Sequence, residues 1–170
     1  MKAADQKRTK DSSGIHLWLV LWKAFRAVEA HAVQHIAGLG MGYSDFGVLE
    51  ALLHKGPMTV TELGSKVLLT SGSMTAAIDR LKKRGLVERE EDAFDRRTRV
   101  IRLTARGRAL IRDAFEEHKL AMEDVVSAVP LEEREALVAS LRNLGLGAAA
   151  RQKDGAGRVR KTGRKRSREE

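Results

Sequence analysis

The stretch from Thr70 to Thr104, TSGSMTAAIDRLKKRGLVEREEDAFDRRTRVIRLT, constrains the fold of this chain more than any other. Met74, Ile78 and Leu81 recur at spacings of four and three, which places them on one face of a helix. Ser73, Thr75, Ala76, Asp79, Arg80, Lys82 and Lys83 fall on the opposite face and are small or charged. Ser71 suits an N-cap, and Gly85 suits the left-handed position that stops a helix. Two short alternating segments follow, Leu86–Glu90 and Thr98–Leu103, joined by a charged tip that contains Asp95, Arg96 and Arg97. Small residues at a helix N-terminus allow close approach to a duplex, and free N–H groups there favour phosphate. A helix followed by a hairpin with an arginine-rich tip is the reading head of a winged helix-turn-helix. The expected fold class is therefore mainly α with a small β-hairpin wing. Alone, the helix could be a solvated face with ordinary lysines, and the tip an exposed charged turn. Their succession is what favours DNA.

Composition sets the outer limits. A length of 170 residues suggests one domain plus extensions. Without cysteine there is no disulfide, thiol sensor or cysteine–metal site. No apolar run reaches membrane-spanning length, since Leu17–Trp22 is closed by Lys23. The basic start, this run and Ala30-His31-Ala32 imitate a signal peptide, but Lys23, Arg26 and Glu29 interrupt it. A cytoplasmic location, with no membrane partner, is the resulting expectation. The net charge is +9, and the segment from Arg151 to Glu170 supplies +6 of it. Basic residues placed on a helix and a wing therefore weigh more than the overall charge.

In chain order, residues 1–14 read as a flexible arm. A first helix follows, about Ile15 to Ala37, with Leu21, Phe25, Val28, Ala32 and Ile36 as a stripe and Trp18 and Trp22 beside it. It is apolar over more than half its circumference near the start, so two sides should be covered. Ser44 is the expected cap of a second helix, Asp45 to His54. After Gly56-Pro57, Thr59 and Glu62 have the spacing of a capping box and open a third helix, to about Leu68. The tight turn Leu69–Ser71 then completes a helix-turn-helix. Beyond the hairpin, Thr104 caps a long helix to about Ala128, and Pro130 starts a last one, Leu131 to Asn143, that Gly145 and Gly147 end. A helix of about 25 residues outruns so small a core and calls for a second subunit. Residues 148–170 read as a disordered basic tail.

The strings SDFGVLEALLHKGPMTVTELGSKV, SGSMTAAIDRLKKRGLVERE and DRRTRVIRLTARGRALI occur in that order, and the chain resembles the MarR family of bacterial transcription regulators over about Ile15 to Gly147. The resemblance implies a DNA-binding lobe at residues 44–103 and dimerisation helices at 15–38 and 104–147. It implies a homodimer that binds double-stranded DNA at a palindromic operator, as a repressor. Ser71, Ser73, Thr75, Ala76 and Arg80 would face the major groove, Lys82 and Lys83 the phosphates, and Arg96 and Arg97 the minor groove, braced by Asp95. Family members often bind a small molecule between the two sets of helices. Trp18, Trp22, Phe25, Tyr43, Phe46, His54, Phe115 and His118 would line that site here, although each could equally be core. The string AFEEHKLAMEDVV looks like the branch that responds to phenols and quinones, which implies an aromatic effector.

Other chemistry finds less support. His31 and His35 have the helical spacing of a metal pair, but no cysteine or second histidine pair completes a site, so no metal or cofactor is expected. No Gly-rich phosphate loop or nucleophile elbow is present, and Glu90-Glu91 and Glu116-Glu117 read as solvated charge, so no enzyme is expected. The alternative is a sequence-neutral architectural DNA binder driven by the basic tail.

Overall fold

The computed structural model describes residues 13–67, 71–91 and 99–166. The elements in order are α1 (Gly14–Gly38), α2 (Tyr43–Lys55), β1 (Met58–Thr59), α3 (Val60–Val67), α4 (Ser71–Lys83), β2 (Val87–Glu91), β3 (Arg99–Leu103), α5 (Ala105–Val125) and α6 (Leu131–Arg166). Contacts divide them into two units, one ending at Val125 and one beginning at Val126.

In the first unit the core gathers one face from each element. Ile36 of α1, Phe46, Val48, Leu49 and Leu52 of α2, Leu63 of α3, Met74, Ile78 and Leu81 of α4, Ile101 of β3 and Ile111 of α5 are all buried there. The expected stripe of α4 is thus its inward face. Local chemistry sets the boundaries. The Ser13 side chain accepts the His16 N–H and opens α1. The Thr59 hydroxyl accepts the Glu62 N–H at 3.2 Å, and the Glu62 carboxylate accepts the Thr59 N–H at 2.8 Å. That is the reciprocal capping box read from the sequence. Gly85, at φ 68°, ends α4. Its N–H reaches the Lys82 carbonyl, and the Leu86 N–H reaches that of Leu81, the double closure of a Schellman motif.

Three differences from the sequence expectation are physical. First, α2 starts earlier than Asp45: Gly42 occupies the cap position with extended backbone and no side-chain bond, and Ser44 lies inside the helix rather than capping it. Second, β2 and β3 are joined by β1 in a three-stranded antiparallel sheet of order β1-β3-β2, with Met58 opposite Ile101 and Thr59 opposite Val100. A strand of two residues leaves no alternation to read. Third, α6 does not stop at Asn143. It continues through Gly145 and Gly147 to Arg166, so part of the segment read as disordered is helical. An interior glycine costs only about 1 kcal/mol against alanine. Ala148, Ala149 and Ala150 follow at once and favour continuation.

In the second unit a short turn precedes α6. The Val129 N–H bonds the Val126 carbonyl, and the Arg134 guanidinium donates to the Val129 and Val126 carbonyls at 3.0 and 3.3 Å. Leu137, Val138, Leu141 and Leu144 are exposed along α6. Among the described residues no helix is long and apolar enough to cross a membrane.

Candidate nucleic-acid interface and adjoining cavity

Helix α4 offers a buried face and an open one. Met74, Ala77, Ile78 and Leu81 are inward, while Ser73, Thr75, Ala76, Arg80, Lys82 and Lys83 are exposed. Ser71 begins the helix. The tip residues Asp95, Arg96 and Arg97 lie outside the described residues.

The root of the β2–β3 pair is held firmly to the end of α4. Arg89 of β2 donates to Asp79 of α4 at 3.1 Å. Arg102 of β3 bonds Glu90 across the strands at 2.7 Å and lies 3.7 Å from Glu88. The Thr104 hydroxyl donates to the Gly85 carbonyl at 2.8 Å and accepts the Gly107 N–H at 3.0 Å. One side chain thereby caps α5 and seals the end of α4. These bonds tie the strand pair to α4 and to the start of α5.

Arg80, expected to face the major groove, is also tied to the body of the fold. Its guanidinium reaches back to α2, where Nη2 and Nε donate to Oδ1 of Asp45 at 2.6 and 3.2 Å. The Asp45 side chain is 6% exposed and that of Arg80 is 53% exposed. Asp45 is the buried charged residue of the described part of the chain, so it requires such a partner. The Asp45 pairing raises the Arg80 pKa further, and the guanidinium stays charged. No local pattern distinguishes Asp45 from any acidic residue in a first helical turn, so its part was not visible in sequence.

Behind α2 lies a cavity of about 440 Å³. Ala32 and Ile36 of α1, the α2 side chains Tyr43, Phe46, Glu50 and His54, Lys66 and Val67 of α3, and His118 and Met122 of α5 line it. Of the eight aromatic and histidine candidates, Tyr43, Phe46, His54 and His118 are brought together here. Phe115 supports the wall by meeting His54 edge-on, with ring centroids 4.6 Å apart. Trp18, Trp22 and Phe25 do not line the cavity. They are 57, 51 and 56% exposed on the first half of α1, where the tryptophans stack at 6.4 Å. The reason is distance along the helix: Trp22 precedes Ala32 by ten residues, about 15 Å at the α-helical rise.

The cavity is polar at several points. Nδ1 of His118 lies 3.2 Å from Nδ1 of His35, so that contact can hold one proton but not two. Burial, with His35 and His31 nearby, lowers the pKa of His118. Burial also raises the pKa of Glu50, against the opposing pull of His54. Glu50, Lys55 and Lys66 were missed in sequence because only rings were sought; the four-residue spacing of Glu50 and His54 on one helix was a usable signal. Among the described residues no group of three or more His, Cys, Asp or Glu side chains is arranged around a metal position.

Comparison with known proteins places these features in context. A family model described as MarR family matches residues 39–98. The HTH-type transcriptional regulator MhqR of Bacillus subtilis is 34% identical over 134 residues, spanning 79% of this chain and 92% of MhqR. A structure of Bordetella bronchiseptica BpsR, whose DNA binding is regulated by 6-hydroxynicotinic acid, has a TM-score of 0.67 at 25% identity and covers 76% of this chain and 98% of its own. A mutant Escherichia coli MarR complexed with operator DNA shares the fold, with a TM-score of 0.67 at 21% identity over 76% of this chain and 94% of its own.

Proposed function

This chain belongs to the MarR family of transcription regulators, and from that premise we propose that it is a homodimeric repressor of a palindromic operator, controlled by a small aromatic ligand. The observation that carries the reading is the open face of α4, small and hydroxylated at its start and cationic at its end, set on a rigid strand pair. Ser73, Thr75 and Ala76 admit the close approach that base edges in a major groove demand, while Lys82 and Lys83 meet phosphates and set register. From the family resemblance, Arg96 and Arg97 are assigned to a minor groove, with Asp95 as their partner. A dimer is favoured by the apolar residues that one chain leaves exposed, among them Leu17, Trp18 and Trp22 on α1 and Leu137, Val138 and Leu141 on α6. Two copies of α4 then meet half-sites about one helical turn apart.

The ligand reading rests on the cavity. Tyr43, Phe46 and His118 suit a ring, and His54, Glu50 and Lys66 suit its polar substituents. Regulation of BpsR by a hydroxylated aromatic acid supports it.

The test is to select bound fragments from genomic DNA and titrate the best one against a scrambled duplex at physiological salt. A preference of about a thousandfold or more supports a regulator. A preference below about tenfold would favour the architectural alternative. Screening phenols and aromatic acids for release of the selected fragment tests the ligand.

A further inference from the structure

The cavity and α4 do not touch. All the cavity-lining residues belong to α1, α2, α3 and α5. A molecule in the cavity therefore reaches α4 only through what joins the two. The first turn of α2 has the required geometry. Tyr43, Ser44, Phe46 and Gly47 all face the cavity. Asp45, in their midst, is turned the other way and takes two donors of Arg80 on α4.

We infer that the Asp45–Arg80 pair carries occupancy of the cavity to α4, which makes Asp45 a positioning residue for DNA recognition. The inference rests on the reading of the cavity as a ligand site.

The physical argument is that this contact cannot slip. Apolar side chains can slide past one another at small cost, because dispersion contacts have no direction. A buried carboxylate held by a guanidinium is different. Parting it from Arg80 leaves a charge out of water without a partner, so the pair moves as one body. Its two donors also fix angle as well as distance. Gly47 adds a second constraint, because a Cβ there would come within 2.7 Å of Cγ1 of Val67. The same turn of α2 is thus pressed against α3 while it grips α4. The Phe46 and His118 rings meet edge-on at 4.9 Å, so a ring that enters the cavity and parts them displaces this turn, and Arg80 with it. Arg80 lies two residues before Lys82 and four after Ala76, so its movement shifts the groups that meet DNA.

The test needs no identified ligand. Ala32→Phe places a permanent ring in the cavity from the α1 side and leaves α2 and α4 unaltered. Operator affinity is measured by titration for the wild type, Ala32→Phe, Asp45→Asn and the double variant. The expected result is a change of about tenfold or more on Ala32→Phe in the wild-type background, within the range of known site-to-site couplings. In the Asp45→Asn background the same substitution should change affinity less than about twofold. An equal change in both backgrounds would overturn the role of the pair while leaving the cavity as a control site. No change in either would remove the cavity reading itself, and the inference with it. Should Asp45→Asn fail to fold, Asp45→Asn with Arg80→Gln supplies a neutral hydrogen-bonded pair at the same place. Its cycle with Ala32→Phe is then decisive in the same way. A merely structural pair would lower the melting temperature without altering the response to Ala32→Phe.

Discussion

A Cβ built on Gly107 overlaps the carbonyl oxygen of Leu86 and comes within 2.8 Å of its carbonyl carbon. The start of α5 is therefore pressed directly on the backbone that leaves α4. Leu86 cannot yield easily. Its carbonyl accepts the Thr104 N–H at 3.1 Å, and its side chain is buried. Gly107→Ala should destabilise the fold by about 1–3 kcal/mol, the usual cost of forcing atoms into a packed place. Replacing an interior helical glycine by alanine ordinarily stabilises, so the sign is diagnostic. Chemical denaturation of the wild type and the variant measures it, and a Gly107→Ala protein as stable as wild type would refute the close packing.

Two half-buried titratable groups should give stability opposite pH dependences. The His118 pKa is lowered by burial and by His35 and His31. The unfolded chain therefore binds the proton more readily than the native one. As pH falls below the ordinary histidine value of about 6.5, stability declines. His118→Gln should flatten the melting temperature between about pH 7 and pH 5.5. Glu50 has the reverse sign, since burial raises its pKa. There the native state holds the proton more tightly, and stability is lost as pH rises past the ordinary carboxylate value of about 4.3. Glu50→Gln should thus stabilise at neutral pH and show little effect near pH 4. Melting curves across this range separate the two, and a His118→Gln profile as steep as wild type would contradict the first.

Assembly gives a third expectation. Ile15, Trp18, Trp22 and Phe25 on α1 are more than half exposed, a heavy concentration of large apolar side chains for a solvated helix. Mass measurement at micromolar concentration should give about twice 18.8 kDa. Trp22→Glu, which puts a charge in that surface, should raise the dissociation constant at least about tenfold, as expected of a buried aromatic anchor. A wild-type monomer that still binds its operator tightly would sink the dimer.

What was legible in the sequence has a common character. Where a signal is local and repeated, it was read correctly: the Thr59–Glu62 box, the Met74–Ile78–Leu81 stripe and the stop at Gly85 all depend on neighbours within one helical turn. What escaped depends on partners far along the chain. Asp45 is distinguished only by Arg80, 35 residues later. Gly107 looks like a mildly unfavourable helical residue until Leu86 is placed beside it. The cavity was half legible. Tyr43, Phe46, His54 and His118 belong to apolar faces that meet, but so, in sequence, did Trp18, Trp22 and Phe25. Breadth of an apolar face says that something covers it, without distinguishing a ligand from a second subunit. The length of α6 was misjudged because glycine was weighted as a stop, when only a left-handed backbone makes it one.

The last prediction separates residues that hold DNA from residues that read it. Lys82 and Lys83 are exposed at the end of α4, where long flexible ammonium groups suit phosphates of any sequence. Lys82→Ala should weaken operator and scrambled duplexes alike and reduce the salt slope by about one. Thr75, nearer the start of the open face, should act differently, because a short hydroxylated side chain reaches a base edge only at close range. Thr75→Ala should weaken operator binding by about 1–3 kcal/mol per half-site and scarcely alter binding to the scrambled duplex. Arg97 should behave like Thr75 if the strand pair delivers it to a narrow minor groove, where guanidinium feels an enhanced negative potential. Titrations at two salt concentrations resolve all three. The decisive quantity is the ratio of operator to scrambled affinity. It should stay constant for Lys82→Ala and fall for Thr75→Ala and Arg97→Ala. A fall for the lysine alone would mean that the end of α4, and not the small hydroxylated start of its open face, reads the bases.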